Sequence, residues 1–402
     1  VPAQTAHNIL IAYKAETTFN VAPTNTGAFR FRPNAGTGLE LVRTTINPGE
    51  IRSDLQSPMG RLGSGSVTGT FPGDLSVGSF DPLLEAALRG TWVAAVNITQ
   101  ATMTSITTTA GPPGTIVAAG GSWITQGVRV GDVVRLTGHA QAGNNNRNLR
   151  VTAVTTTTIT VAETLIADAA PDATFTLTIA RKVTNQDVPV RRSFYFERYD
   201  QDIDQSILYG GCRVASLNII GAADAMAIIE VGFLGASATE QATGASPFFV
   251  SPTLSTTTAL VFADATIREG GVDVVNLTGM NITLDLTAGV VPVIGSPVPF
   301  DVFDNRLNVS GTISAVRGDL TRFTRFRNET EAELSVLLVE PEAEPKDFLH
   351  IFIPRIKLTS VAAPFGGENA VIETANFIVG KKEEAGTTQY DDTTVVFSTS
   401  AP

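Results

Sequence analysis

The sequence predicts a mainly β fold: one strand-rich domain used twice, each copy with a short helical run, and a small inserted β-module. Three observations carry this. The 402 residues favour Thr, Val, Gly, Ala and Ile, with only 17% charged, a strand-rich profile. Arg61 to Trp92 (RLGSGSVTGTFPGDLSVGSFDPLLEAALRGTW) is echoed by Arg306 to Val339 (RLNVSGTISAVRGDLTRFTRFRNETEAELSVLLV). Both run Arg-Leu, then a V-[ST]-G-T strand, then Gly-Asp-Leu, then a short helical run. Finally, Cys212 to Gly235 is echoed by Pro354 to Gly380. Each of these has a basic residue entering a strand, a small-residue turn, and a second strand with Ile-Glu ahead of Phe.

In chain order, residues 1–35 read as an N-terminal arm. Turn-rich pieces such as Ala22-Pro23-Thr24-Asn25 break regular structure. Its apolar content (Ile9, Leu10, Ile11, Tyr13, Phe19) is more than a free tail keeps, so it is expected to pack on something, such as a neighbouring subunit. Residues 36–92 begin the first domain. Leu39–Ile46 is a strand, and Arg52–Gly65, polar and glycine-rich, is expected to be a loop that orders on assembly. Asp81-Pro82-Leu83-Leu84 starts a helix, with Asp81 as cap, Pro82 in the first turn, Leu84 and Leu88 on its apolar face and Gly90 closing it.

Residues 93–185 differ in texture and read as the inserted small β-domain, with strands expected around Gly131-Asp132, at Leu149–Val154 and Thr158–Val161, and at Thr174–Ile179. Its ends must meet, because the first domain resumes over 186–240 with the β-prone Ser193–Tyr199. Residues 241–258, small and polar, read as a linker. The second domain spans 259–382, opening with strands at Leu260–Ile267 and Gly279–Leu286, and 383–402 reads as a polar C-terminal tail ending in one strand, Thr394–Phe397.

The chemistry-bearing residues form no catalytic pattern. His7, His139 and His350 lie in separate segments, with no metal-ligand or triad spacing. Asp200, Asp202 and Asp204 start like a calcium loop but lack its glycine and its closing glutamate. Cys212 stands alone, so no disulfide framework exists; it reads as a buried apolar residue. Arg61-Leu62-Gly63-Ser64-Gly65 is neither a phosphate loop nor a nucleophile elbow. A net charge of −11 argues against a basic nucleic-acid footprint, and no apolar run reaches about 18 residues. No enzyme activity, metal or cofactor is expected. Strand edges and their duplication point to assembly instead.

The glycine-rich loop, the S-V-T-G-T strand, Phe80-Asp81-Pro82-Leu83-Leu84, the repeat at Arg306–Ile313 and the Val371-Ile372-Glu373 strand resemble the tail tube (major tail) proteins of long-tailed, non-contractile bacteriophages. The resemblance covers about 1–92 and 186–382. It implies two tandem tail-tube β-sandwich domains, hence a homotrimer ring with six tube domains, stacked into a tube that passes double-stranded DNA without specific binding. It implies a virion location and, as partners, the tape measure protein, the tail terminator and distal tail proteins, with no membrane. Arg52, Arg61, Gly63 and Gly65 are the expected assembly-loop residues. Asp81, Leu84, Leu88, Phe323 and Phe326 are the expected tube-domain helix residues. The competing reading is a host-surface or glycan-binding tail fibre or adhesin, with the insert as its binding module.

Overall fold

The computed structural model describes residues 3–36, 38–366, 369–383 and 389–401. Its principal elements are β1 (Ile9–Ala15), β2 (Gly38–Ile46), β3 (Arg61–Asp74), α1 (Asp81–Leu88), β4 (Phe194–Asp200), β5 (Gln205–Ala222), β6 (Ile228–Gly235), β7 (Leu277–Asp285), β8 (Asn308–Val316), α2 (Thr321–Arg327), β9 (Ala332–Val339), β10 (Phe348–Ala362), β11 (Ile372–Val379) and β12 (Val396–Thr399). Shorter strands are given by residue range.

The two copies share one pairing scheme. In the first, β2 pairs with β3, β3 with β6 and β6 with the C-terminal half of β5, all antiparallel. In the second, β7, β8, β11 and the C-terminal half of β10 pair in the same way. The N-terminal halves of β5 and β10 leave this sheet to pair with β4 and β9 in a second layer. Even the irregularities coincide. The β5–β6 register slips between Val214 and Ser216, and the β10–β11 register between Leu358 and Ser360. A bulge bends a strand locally, and here it lies near the point where each long strand changes layers.

The glycine of the shared V-[ST]-G-T strand has a backbone reason. A Cβ on Gly69 would lie 1.9 Å from the Gly38 carbonyl oxygen, and one on Gly311 would lie 2.3 Å from that of Asn281. Only glycine lets the neighbouring strand approach so closely. Between the layers of the first copy sits an aromatic core. Phe196 meets Phe233 edge-on at 4.7 Å, and Tyr13 stacks on Phe196 at 5.4 Å. The glutamates of the second echo are one step out of register. Phe233 and Phe377 face Gly69 and Gly311, which sets Glu230 opposite Thr374 in the comparison and leaves Glu373 buried on the core side.

Residues 96–179 form a separate eight-stranded sheet around a core that includes Trp123, Leu136 and Phe175. Phe352 of β10 and Val396 of β12 complete that core. Gly131, in left-handed backbone, presses on the Phe352 ring so closely that a Cβ would lie 2.1 Å from it.

Several expectations change. The arm packs on its own chain: β1 pairs with β4 and with Phe29–Phe31. Asp81 does not cap α1; the cap position is Phe80, with no side-chain bond, and the Asp81 carboxylate pairs with Arg181. Arg89, at φ 52°, is the left-handed closing residue, while Gly90 is small because a Cβ there would lie 2.1 Å from the Thr184 carbonyl oxygen. Around Gly131-Asp132 only Val133–Thr137 is a strand. The stretch 260–267 includes a 3-10 turn, Phe262–Asp264, with a strand only from Thr266. The expected linker is packed: Thr253–Leu254 pairs with Phe29–Arg30, and Phe249 is buried. The strand expected in the tail forms as β12, which pairs with β10 and with Arg181–Thr184.

Candidate assembly edges

The two copies meet in one seam. The C-terminal half of β5 pairs antiparallel with β7, from Ser216↔Asp285 to Ala222↔Gly279. The sheet is therefore continuous through eight strands in the order β2–β3–β6–β5–β7–β8–β11–β10. Leu217, Ile219, Ile282 and Leu284 are fully buried on its core side. On the opposite face the Thr283 hydroxyl donates to Asn218 at 2.9 Å, and the Asn218 amide donates to Glu230 at 3.3 Å. Backbone, core and outer face all run through the seam.

At the ends of this eight-strand run, the same two edges recur without partners. Among the described residues, the outer edge of β2 and the outer edge of the C-terminal half of β10 meet no other strand. Register matches their positions to the seam. Leu41 faces Val67 as Leu284 faces Val309. Val361 faces Ala375 as Leu217 faces Val231. The seam leucines are buried, yet Leu41 is 47% exposed and Val42 50%. An open strand edge with exposed apolar side chains is a template for another chain.

The face of this sheet away from the core follows strand alternation. It carries Thr68, Thr70, Asn218, Asn281, Thr283, Ser310, Thr312 and Asn376, tied in part by cross-strand bonds such as Thr312 to Asn376 at 2.8 Å. Its charges include the carboxylates Glu40, Asp74, Glu230 and Asp285 and the cations Lys357, Arg355 and Arg213, which pair with Glu329, Glu331 and Asp301.

The expected assembly-loop residues divide. Arg52 lies in an irregular exposed stretch and pairs with Asp54 at 2.9 Å. Arg61, Gly63 and Gly65 are strand rather than loop, at the start of β3 beside β2. The Gly65 amide donates to the Pro297 carbonyl at 2.9 Å, tying this hairpin to the second copy. Ile51, Leu55 and Met59, just before β3, are almost fully exposed. The expected helix residues lie on α1 and α2. Leu84 and Leu88 are buried in the main core, whereas Phe323 and Phe326 are 42% and 37% exposed. α1 packs against β5 and α2 against β10. Sequence reasoning missed the edges themselves. The signal was the duplication: aligning the seam onto the ends predicts which residues lack a neighbour.

The remaining polar groups have structural partners. Asp202 accepts from the Thr5 amide at 2.7 Å and from Asn8 at 2.6 Å, Asp204 accepts from the Tyr199 hydroxyl at 2.9 Å, and Asp200 pairs with Arg198. The buried His350 bonds Ser335 at 2.8 Å. Burial holds it far below its ordinary value, to about 3, with the Arg150 charge adding to the effect. Cys212 is buried and free, and burial raises its thiol pKa. Among the described residues no group of three or more metal-binding side chains gathers, and no helix is long and apolar enough to cross a membrane.

Comparison with known proteins accords with this layout. A family model described as phage tail tube protein matches residues 6–189 and again 151–379. The two matches overlap, and neither stops at the limits of one copy. No curated protein matches the chain. Two matches that together span most of the sequence, on a mainly β chain with a duplicated sheet, place it: this chain belongs to the phage tail tube protein family and is a structural component of the virion tail.

Proposed function

We propose that this protein polymerises as stacked trimeric, pseudo-hexameric rings that form the tail tube through which DNA reaches the host. One observation carries the reading: the internal β5–β7 seam has the complementary halves of a second seam, β10 and β2, lying open at the ends of the same sheet. A head-to-tail contact of this kind closes a ring when its rotation allows. Transferring the register, Ser360 meets Val42 of the next molecule, Val361 meets Leu41 and Ala362 meets Glu40.

Strand spacing argues for three chains. With strands ~4.8 Å apart and tilted by ~40°, eight strands from each of three chains give a backbone diameter of ~48 Å, or ~38 Å inside the side chains. Two chains would leave only ~22 Å by the same estimate, with almost no clearance for a duplex. The face away from the core then lines the bore. Its hydroxyls and amides are neutral, and its three cations are each paired with a carboxylate while Glu40, Asp74 and Asp285 add negative charge, so phosphates are repelled rather than held by counterion release.

The proposed layout is an arm (1–35), a first tube domain (36–92 and 186–240) with the module 93–185 inserted, a linker (241–258), a second tube domain (259–382) and a tail (383–402). The insert packs on Phe352 and Val396, in the layer away from the bore, which supports a position on the outer wall. In the finished tail the tube encloses the tape measure protein and ends on the terminator and distal tail proteins. Electron microscopy of the purified protein tests this. Rings or tubes with three-fold symmetry and six similar lobes are expected; a chain that stays monomeric at high concentration, or rings of another order, would overturn it.

A further inference from the structure

The ring reading leaves open how a molecule distinguishes its own internal seam from the seam with its neighbour. The turn between β5 and β6 supplies a key. At the internal seam it seats against the second copy: the Ala223 amide donates to the Thr278 carbonyl at 3.0 Å, and the Ala227 amide to that of Leu260 at 2.8 Å. Just before the turn, at the end of β5, Gly221 lies on the ring of Phe262, and a Cβ there would approach the ring to 2.3 Å. A cleft of about 450 Å³ beside the turn has Phe262 and Gly221 both on its wall.

Register identifies the matching positions at the outer ends. The spacing of 144 that relates Val214 to Leu358 and Ser216 to Ser360, carried three residues past the end of β10 at Ala362, relates Gly221 to Phe365. The receiving side matches as well. The 3-10 turns Ala6–Asn8 and Phe262–Asp264 each precede the strand that pairs with β4 or β9, so Phe262 corresponds to Ala6. Phe365 projects from the turn after β10 and is 94% exposed. Ala6 lines a larger cleft, about 800 Å³, whose wall includes Ile9, Phe31, Leu39, Phe71 and Leu254.

We infer that the seam between molecules uses the inverse size pairing, with Phe365 of one copy entering the cleft over Ala6 of the next. Inside the chain a glycine meets a phenylalanine; between chains a phenylalanine meets an alanine. Each mismatched combination fails physically. Phe365 against Phe262 overlaps, and Gly221 over Ala6 leaves a void that forfeits packing. The pairing therefore specifies which edge joins which, by steric exclusion as well as attraction. It rests on the ring reading, and it supplies the element that fixes the order of domains around the ring.

The test uses the full chain with Phe365→Gly, Ala6→Phe and the double variant Ala6→Phe/Phe365→Gly, which rebuilds the internal pair at the outer seam. Both positions are exposed in the single chain, so thermal melts of dilute monomer should be unchanged. Each single variant should raise the concentration needed for assembly by at least about tenfold, and the double variant should recover most of that loss. Oxidation of Ala6→Cys/Phe365→Cys should give covalent dimers and trimers that Leu41→Asp prevents. If wild type and all three size variants assemble alike, the size exchange is wrong while the ring reading stands. A double variant as weak as the worse single variant also overturns it. Wild-type protein that forms no rings overturns both.

Discussion

Leu41→Asp separates folding from assembly. In the single chain Leu41 is 47% exposed, so an aspartate there costs little; surface changes of this kind move stability by about 0.5 kcal/mol or less. At the seam between molecules Leu41 takes the place that Leu284 holds inside the chain, where exposure is zero. Burying the rest of the leucine contributes about 1 kcal/mol per seam. Leu41→Ala forfeits most of that, and three seams make it ~3 kcal/mol per ring, roughly a hundredfold in assembly. Leu41→Asp adds a carboxylate stripped of water opposite Val361, several kcal/mol per seam, so the ring loses on the order of 10 kcal/mol. Sedimentation velocity and electron microscopy should find folded monomers with the wild-type melting temperature and no rings. Leu284→Asp is the control: the same chemistry within the chain should unfold the seam and lower the melting temperature sharply. Tubes from Leu41→Asp at wild-type yield would remove β2 from the contact and refute the transfer of register.

Four further outcomes are expected. Glu269 is buried and takes bonds from Arg322 at 2.9 and 2.8 Å and from Arg325 at 3.0 Å; Glu269→Leu should cost about 3–5 kcal/mol in denaturant melts, because two arginines lose their partner. Lys182 joins Asp132 and Asp391 at 2.7 Å each; Lys182→Met should strand both carboxylates and speed amide exchange around 129–132, at the insert's contact with the rest of the chain. His350 has a folded pKa of about 3, below the ordinary value near 6.5, so the unfolded chain takes up the proton first. Its share of stability is complete above about pH 6.5 and is lost as the pH falls towards 3; the acid-side fall in denaturant midpoint should flatten in His350→Gln, and an unchanged slope would count against it. Finally, Glu40→Lys/Glu230→Lys should assemble, yet its tubes should bind duplex DNA in a salt-dependent way; equal, weak binding by both proteins would place this face outside the bore.

Much of the chain was legible because local rules and final structure agree. Alternation marked β7, the repeated V-[ST]-G-T motif marked β3 and β8, and Pro82 and the leucines marked α1. Where local composition and final structure part, the cause is long-range pairing. Thr253–Leu254 read as part of a linker because its surroundings are small and polar, and it becomes a strand only when Phe29–Phe31 offers an edge. Arg61–Gly65 read as a loop for its glycines, and β2 holds it straight.

By itself the sequence determined the duplication and the β class, since repeated motifs and strand propensity are both written along one dimension. Only the tertiary structure decided which strand lies beside which, and so which edges remain open. Leu41 and Leu284 belong to equivalent strands and carry the same side chain. One is covered and the other bare because chain connectivity brings β5 to β7 and leaves β2 with no strand beyond it.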